Sequence, residues 1–173
     1  MKKFEVNGNL EDEKDFDIFF YNIKKVWEIF NRTFGIDTMS KFDLYVDNAT
    51  EKSGYTPIIT VILRKYIIIK LGIDDFSYAE KIVYQFSHEL CHYVFYSLKG
   101  LDKPKADTYE ENICSAMSLI MINMLYPESA NKWVTYVHNL KNEKYKNGAR
   151  IAIDCNFDIN VLKSMIYEKN SCY

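Results

Sequence analysis

The chain has 173 residues, of which 48 % are hydrophobic, and its formal net charge at pH 7 is -2. This length allows one domain with a sizeable core, so we expect a single domain over residues 1–173. A slightly acidic chain lacks the basic excess that a nucleic-acid-binding surface needs. No run approaches the ~18 apolar residues of a membrane-spanning helix and no secretory leader is visible, so we expect a soluble cytoplasmic protein.

A long amphipathic helix is predicted near the amino terminus. Its apolar residues recur at helical spacing between Phe16 and Phe34, and Gly35 follows as an end signal. The apolar stripe is richly aromatic and consists of Phe16, Phe19, Phe20, Ile23, Val26, Trp27, Phe30 and Phe34. Such a stripe most often packs under a sheet, so we interpret it as scaffold rather than as a membrane- or partner-binding face.

Strands are predicted next. Phe42, Leu44 and Val46 alternate with polar residues, which is typical of a half-buried strand. Residues 57–71 are dense in β-branched side chains and favour two short strands separated at Arg64-Lys65. Because no glycine marks a turn there, one bent strand is the alternative.

A second helix is predicted from Ser77 to Lys99. Ser77 and Glu80 form a capping-box pattern at its start, and Gly100 follows a cationic last turn. This helix contains the run His88-Glu89-Leu90-Cys91-His92, which has the H-E-x-x-H arrangement.

The H-E-x-x-H run predicts a metal site. Residues four apart on a helix share one face, so the imidazoles of His88 and His92 can converge on one ion, with Glu89 beside it. Catalytic zinc takes three protein ligands and keeps one position for water, and that water needs a nearby base. The motif therefore offers two ligands and a base; the alternative is a pair of structural histidines in an ordinary helix.

The third ligand is expected from a helix predicted over residues 107–125. The first turn of this helix carries Glu110 and Glu111, and either carboxylate could complete the site. Both also suit a helix start, because negative charge complements the helix dipole and Thr108 with Glu111 forms another capping-box pattern.

These residues resemble the gluzincin group of zinc metallopeptidases, in which H-E-x-x-H is completed by a glutamate on a downstream apolar helix. The resemblance covers about residues 57–126 and includes compact members such as the ImmA/IrrE-like peptidases and related minimal families. In these members small and apolar residues follow the ligating glutamate at fixed spacings. Counted from Glu111 the pattern gives Cys114, Ser115, Met117 and Ser118, a better fit than counting from Glu110.

The resemblance implies a site and a fold. The metal ligands would be His88, His92 and Glu111, the cofactor Zn²⁺ and the general base Glu89, with Glu110 as the alternative ligand. Ser115 occupies the position where many gluzincins carry the Asp or Asn that orients a ligating histidine, which is a departure from the family pattern. The fold would be α+β and zincin-like, with a small mixed or antiparallel sheet packed against several helices that include the H-E-x-x-H helix.

The function implied by the resemblance is hydrolysis of peptide bonds in a peptide or protein substrate, through a zinc-activated water. An edge strand within residues 57–71 would pair with the extended substrate. The alternative is a non-catalytic binding or regulatory module on a zincin scaffold, with a structural or lost metal. The intact Glu89 favours the enzyme, because a purely structural site needs no base. No nucleic acid or membrane is expected as a partner, and the oligomeric state stays open.

The carboxy-terminal part is predicted to hold two more helices around one loop. After Pro127, one helix carries Trp133, Val137 and Leu140 on one face, and a last helix follows Asp158. Between them the basic run 141–150, which includes Asn147-Gly148, predicts a solvated loop.

Several residues outside the motif are secondary candidates. His138, Tyr84 or Tyr109 could donate a hydrogen bond to the oxyanion of a tetrahedral intermediate. Cys91 and Cys114 lie near the predicted site, where we expect them to pack as thiols rather than to ligate the metal. All four cysteines, Cys91, Cys114, Cys155 and Cys172, are expected to be thiols in a reducing compartment.

Overall fold

The computed structural model describes residues 3–7, 10, 12–49 and 56–170. In this part of the chain seven α-helices accompany one four-stranded sheet, so the α+β class is confirmed. The elements are β1 (Phe4–Asn7), α1 (Glu13–Phe34), α2 (Ile36–Met39), β2 (Asp43–Asn48), β3 (Ile58–Ile62), β4 (Tyr66–Leu71), α3 (Ala79–Lys99), α4 (Thr108–Leu125), a 3₁₀ turn (Pro127–Ser129), α5 (Ala130–His138), α6 (Glu143–Asp154) and α7 (Ile159–Asn170).

The sheet is mixed and has the order β1-β2-β4-β3. β1, β2 and β4 run parallel, whereas β3 is antiparallel to β4 and forms one edge. The two strands predicted in residues 57–71 are confirmed, and the turn between them uses Leu63 and Arg64, both at φ 52°. Non-glycine residues in this left-handed region are uncommon, which explains why no turn signal is visible in the sequence.

The amino-terminal helix packs mainly on α3, and its apolar face is buried. Trp27 extends this packing to the sheet by stacking on Phe4 of β1, with 4.1 Å between the ring centroids. Phe20 departs from the predicted stripe because its side chain remains 41 % exposed. None of the described helices is long and apolar enough to cross a membrane.

The H-E-x-x-H helix, α3, lies at the centre of the molecule. Every residue from Gln85 to Phe95 is buried, so the two histidines are enclosed by the fold. The helix ends as predicted at Gly100, whose φ is 90° and whose amide donates to the Tyr96 carbonyl at 2.8 Å. The predicted capping box at its start is wrong, because the Ser77 hydroxyl donates to Asp75 and leaves α3 without a side-chain cap.

Helix α4 packs between α3 and α6 and presents its first turn to the histidines. Its cap is Asp107, whose carboxylate accepts from the Glu110 amide at 2.8 Å. The capping box predicted for Thr108 and Glu111 is therefore wrong, although the predicted extent of the helix is confirmed.

The predicted solvated loop over residues 141–150 is wrong, because residues Glu143–Asp154 form helix α6. Gly148 explains why this helix can pack so closely on α4. A Cβ atom at this position would lie 2.4 Å from the Ser115 Cβ, which is closer than two non-bonded carbon atoms can approach. The glycine thus permits a backbone contact that a larger residue would prevent.

Candidate metal centre

Three side chains from two neighbouring helices converge on one point. The Oε2 atom of Glu111 lies 3.2 Å from His88 Nε2 and 3.5 Å from His92 Nε2. One ligand atom from each residue lies within 4.8 Å of the other two. Four ligands at zinc bond lengths of about 2.0–2.1 Å in a tetrahedron stand ~3.3–3.4 Å apart, so these separations fit a small cation. The three residues could therefore hold a metal ion.

Glu110, the alternative ligand, occupies a different place. Its Oε1 atom lies 2.8 Å from Nδ1 of His92, the ring nitrogen that does not face Glu111. The same oxygen lies 2.8 Å from Nζ of Lys103. Glu111 thus lies near the Nε2 atoms of both histidines, whereas Glu110 lies on the Nδ1 side of His92.

The carboxylates of Glu110 and Glu111 stabilise positive charge on the neighbouring histidines. Burial would lower the pKa of His92, but its hydrogen bonds with Glu110 and Glu111 raise that pKa to about 10. Burial would raise the pKa of Glu111, but His88 and His92 lower it to about 2. The positive charge that the two carboxylates stabilise here is that of protonated His92, and a cation that displaced this proton would meet the same carboxylates.

Glu89 lies beside this cluster without belonging to it. Its side chain is buried, and residue exposure is 5 %. Burial raises the pKa of the Glu89 carboxyl, the histidines on either side lower it, and the Glu111 charge raises it. The result is a carboxyl whose pKa lies above its usual value, as is typical of groups that exchange protons near neutral pH.

A cleft of about 640 Å³ opens over the cluster and is lined by His88, Glu89, His92 and Glu111. This volume is in the range of ligand-binding pockets. Residues 57–59, at the start of the edge strand β3, line one wall. Another part of the wall is aromatic and comprises Tyr84, Tyr96, Tyr136 and Tyr145.

The predicted oxyanion donors are only partly placed at the cleft. Tyr84 lines it and stacks on Trp133, with ring centroids 4.6 Å apart. His138 is exposed and is not among the lining residues of the cleft in the described chain. Tyr109 donates instead to the Met165 carbonyl at 3.2 Å and likewise does not line the cleft in the described chain.

Tyr145 is a cleft residue that the sequence interpretation missed, as are Tyr96 and Tyr136. Its ring centroid lies 5.8 Å from that of His88. Burial raises the pKa of the phenol, and the charges of Glu111 and Glu89 raise it further, so it is a hydrogen-bond donor at neutral pH. The available signal was the helical spacing of Tyr145 with the buried Ala149 and Ala152, hidden among basic residues.

The cysteines near the site pack as expected. Cys91 and Cys114 are buried free thiols outside the group of residues that could hold a metal ion. The Cys114 Sγ lies 3.4 Å from His92 Nδ1, and burial keeps the pKa of its thiol well above the usual value. Cys155 is also a free thiol, and Cys172 lies outside the described residues.

One cleft beside an edge strand thus contains the candidate ligands His88, His92 and Glu111. The carboxyl of Glu89, which is not a candidate ligand, lines the same cleft. Comparisons of the chain with protein families, with characterised proteins and with solved structures gave no match, so the function is inferred from the chemistry of this site.

Proposed function

We propose that the protein is a zinc-dependent metallopeptidase of the gluzincin type. The observation that carries this proposal is the position of Glu89, a buried carboxyl next to three convergent ligand atoms and facing the same cleft. A structural metal would have no use for this fourth group, whereas a hydrolase requires it. Two imidazoles and one carboxylate suit zinc better than Mg²⁺ or Ca²⁺, which prefer oxygen ligands.

The proposed reaction divides the work among the four side chains. His88, His92 and Glu111 would hold the zinc ion, which supplies Lewis acidity that acidifies water and polarises a peptide carbonyl. Glu89 takes one proton from the attacking water and later delivers it to the leaving amine. A C–O bond forms and the C–N bond breaks, so one water molecule is consumed for each peptide bond hydrolysed.

The edge strand suggests how the substrate is held. β3 pairs with β4 on one side, and its first residues line the cleft. An extended peptide could add to the edge of β3 that no described strand occupies, through main-chain hydrogen bonds, which give affinity without demanding one sequence. The proposed substrate is therefore an unstructured peptide or an extended protein loop.

Glu89→Gln is the decisive substitution for this proposal. Glutamine preserves the volume of the side chain but cannot carry a proton between water and amine, so peptide cleavage should fall to background while zinc binding remains near wild type. Zinc content measured by elemental analysis, together with cleavage of a peptide library followed by mass spectrometry, tests both expectations.

The matched substitution is Glu111→Gln, which changes the same functional group in a proposed ligand. This variant should lose zinc affinity together with activity, whereas Glu89→Gln should lose activity alone. If zinc-loaded wild type cleaves no peptide in the library, the proposal is wrong and a binding or regulatory module becomes the better explanation. If Glu89→Gln cleaves as fast as wild type, Glu89 is not the base.

A further inference from the structure

Glu110 makes two short polar contacts in the interior. Its Oε1 atom lies 2.8 Å from both His92 Nδ1 and Lys103 Nζ, and the residue is only 4 % exposed. A carboxylate in this position can accept a hydrogen from Nδ1, and the other ring nitrogen, Nε2, is the one that faces Glu111. A metal ion at Nε2 would take the place of the Nε2 proton, and Glu110 would then hold the remaining proton on Nδ1.

Lys103 contacts the same carboxylate oxygen of Glu110 as His92 does. This lysine lies in the connection between α3 and α4, and its side chain is 2 % exposed. Its amine also lies 3.3 Å from the Pro104 carbonyl oxygen and 4.5 Å from the centroid of the Tyr96 ring. A lysine is almost never buried to this degree unless its charge is paired, and Glu110 supplies the pairing charge.

The residue expected to orient a histidine does not do so. In the resemblance to gluzincins that position falls on Ser115, which is fully buried. Among the described residues no hydrogen bond joins Ser115 to His88 or His92, and its side chain instead faces Gly148 of α6. The outer contact of His92 is therefore supplied by a different residue of the same helix, Glu110 in the first turn of α4.

We propose that Glu110 is the positioning residue for His92, and that Lys103 clamps Glu110 in place. The three residues form a Lys103–Glu110–His92 relay. The relay rests on the proposed function only in that His92 binds the metal ion. It explains why two adjacent glutamates begin α4: Glu111 completes the ligand set, and Glu110 fixes the orientation and tautomer of one histidine.

The test is the zinc dissociation constant of purified variants, measured by competition with a chromophoric chelator. Glu110→Met removes the acceptor, and we expect a loss of about 10–100-fold in zinc affinity, the usual effect of deleting such an outer contact. Glu110→Gln retains a neutral acceptor and should lie between Glu110→Met and wild type.

A double-mutant cycle tests whether Lys103 acts through Glu110. Lys103→Met should weaken zinc binding when Glu110 is present, but should have no further effect in the Glu110→Met background. The double variant also keeps the test valid if Glu110→Met alone unfolds, because it replaces a buried ion pair with an apolar pair. Lys99→Met is the matched control and should bind zinc like wild type, because Lys99 is exposed, lies just before the same connection and is not among the described residues that line the cleft.

The visible absorption of Co²⁺-loaded protein separates positioning from a structural role. A reoriented His92 should shift the cobalt bands of Glu110→Met. A purely structural Glu110 would lower stability without changing the bands or the affinity of the folded protein. That result overturns the relay, and so does loss of zinc as complete as in Glu111→Gln, which would make Glu110 a ligand. Wild type that binds zinc but cleaves no peptide overturns the peptidase and leaves the relay intact.

Discussion

Tyr145 is a candidate hydrogen-bond donor to the oxyanion because of its position in the cleft. It lies on α6, its ring is close to that of His88 on α3, and it lines the cleft that contains the candidate metal ligands. Its phenol is held in the protonated form by burial and by neighbouring carboxylates that raise its pKa. A group of this kind can donate to the negative charge that develops on a carbonyl oxygen during peptide hydrolysis.

Tyr145→Phe should therefore reduce kcat without removing the metal. Loss of one donor to a developing oxyanion costs about 10²–10³ in kcat, and we expect an effect of this order with little change in KM. Steady-state kinetics on a cleaved peptide, with zinc content measured on the same sample, checks the expectation.

Tyr109→Phe is the matched control. It also removes one phenolic hydroxyl, but that hydroxyl binds the Met165 carbonyl and lies outside the cleft lining. Its kcat should stay at the wild-type level. A Tyr145→Phe enzyme with unchanged kcat would show that the oxyanion is stabilised by another group.

At the level of residues, the relations within one helix were predictable from the sequence, whereas the contacts between helices were not. His88, Glu89 and His92 lie within one turn, so their relation was predictable from the helical period alone. Glu110 and Glu111 are adjacent on the next helix, and the residues that follow them favoured Glu111 as the ligand. Only the packing of α4 against α3 shows that Glu111 lies near Nε2 of both histidines, whereas Glu110 contacts Nδ1 of His92. The same limit applies to Tyr145, which reaches the site through tertiary packing.

At the level of elements, helix α6 was predicted as a loop because of its basic residues and Asn147-Gly148. In the structure Gly148 is a packing position inside the helix, where its missing side chain makes room for Ser115 of α4. The helix then carries Tyr145 to the cleft. A glycine in a polar run favours a turn by propensity, and here the tertiary contact overrides that preference.

Gly148→Ala should destabilise the protein. A Cβ at this position would lie 2.4 Å from the Ser115 Cβ and 3.0 Å from two backbone atoms of α4, so the two helices must separate. Overpacking of this kind costs about 1–3 kcal/mol, more than the ~1 kcal/mol gained in helix propensity. Urea unfolding of the metal-free protein measures the difference.

Asn147→Ala provides the comparison on the same helix. Asn147 is exposed, so alanine there should leave stability unchanged or raise it slightly through helix propensity. Equal stabilisation by alanine at both positions would contradict the close contact at Gly148.

At the level of the whole molecule, the α+β class was predictable and the sheet order was not. Alternating apolar residues indicated β2, and a high density of β-branched residues indicated β3 and β4. β1 has only four residues and pairs with β2, which is far along the chain. The predicted capping residues were wrong at α3 and α4. The Ser77 hydroxyl donates to Asp75 and does not cap α3, and Asp107 caps α4 in place of Thr108. Helix caps and the order of strands depend on local competition for hydrogen bonds and on residues distant in sequence. The periodicity of apolar residues reveals neither.

Zinc should stabilise the whole fold, because its proposed ligands come together only when α3 packs on α4. An ion that binds the native state and not the unfolded chain adds about 2.7 kcal/mol at a free concentration of 100 times its Kd. For a chain of this size that corresponds to a rise in Tm of about 5–11 °C, measurable by calorimetry of the protein with zinc and with a chelator. In Glu111→Gln the rise should be much smaller, because one ligand is lost. An equal rise in both proteins, or an equal rise with Mg²⁺, would mean that the stabilising ion binds elsewhere and would contradict the proposed ligand set.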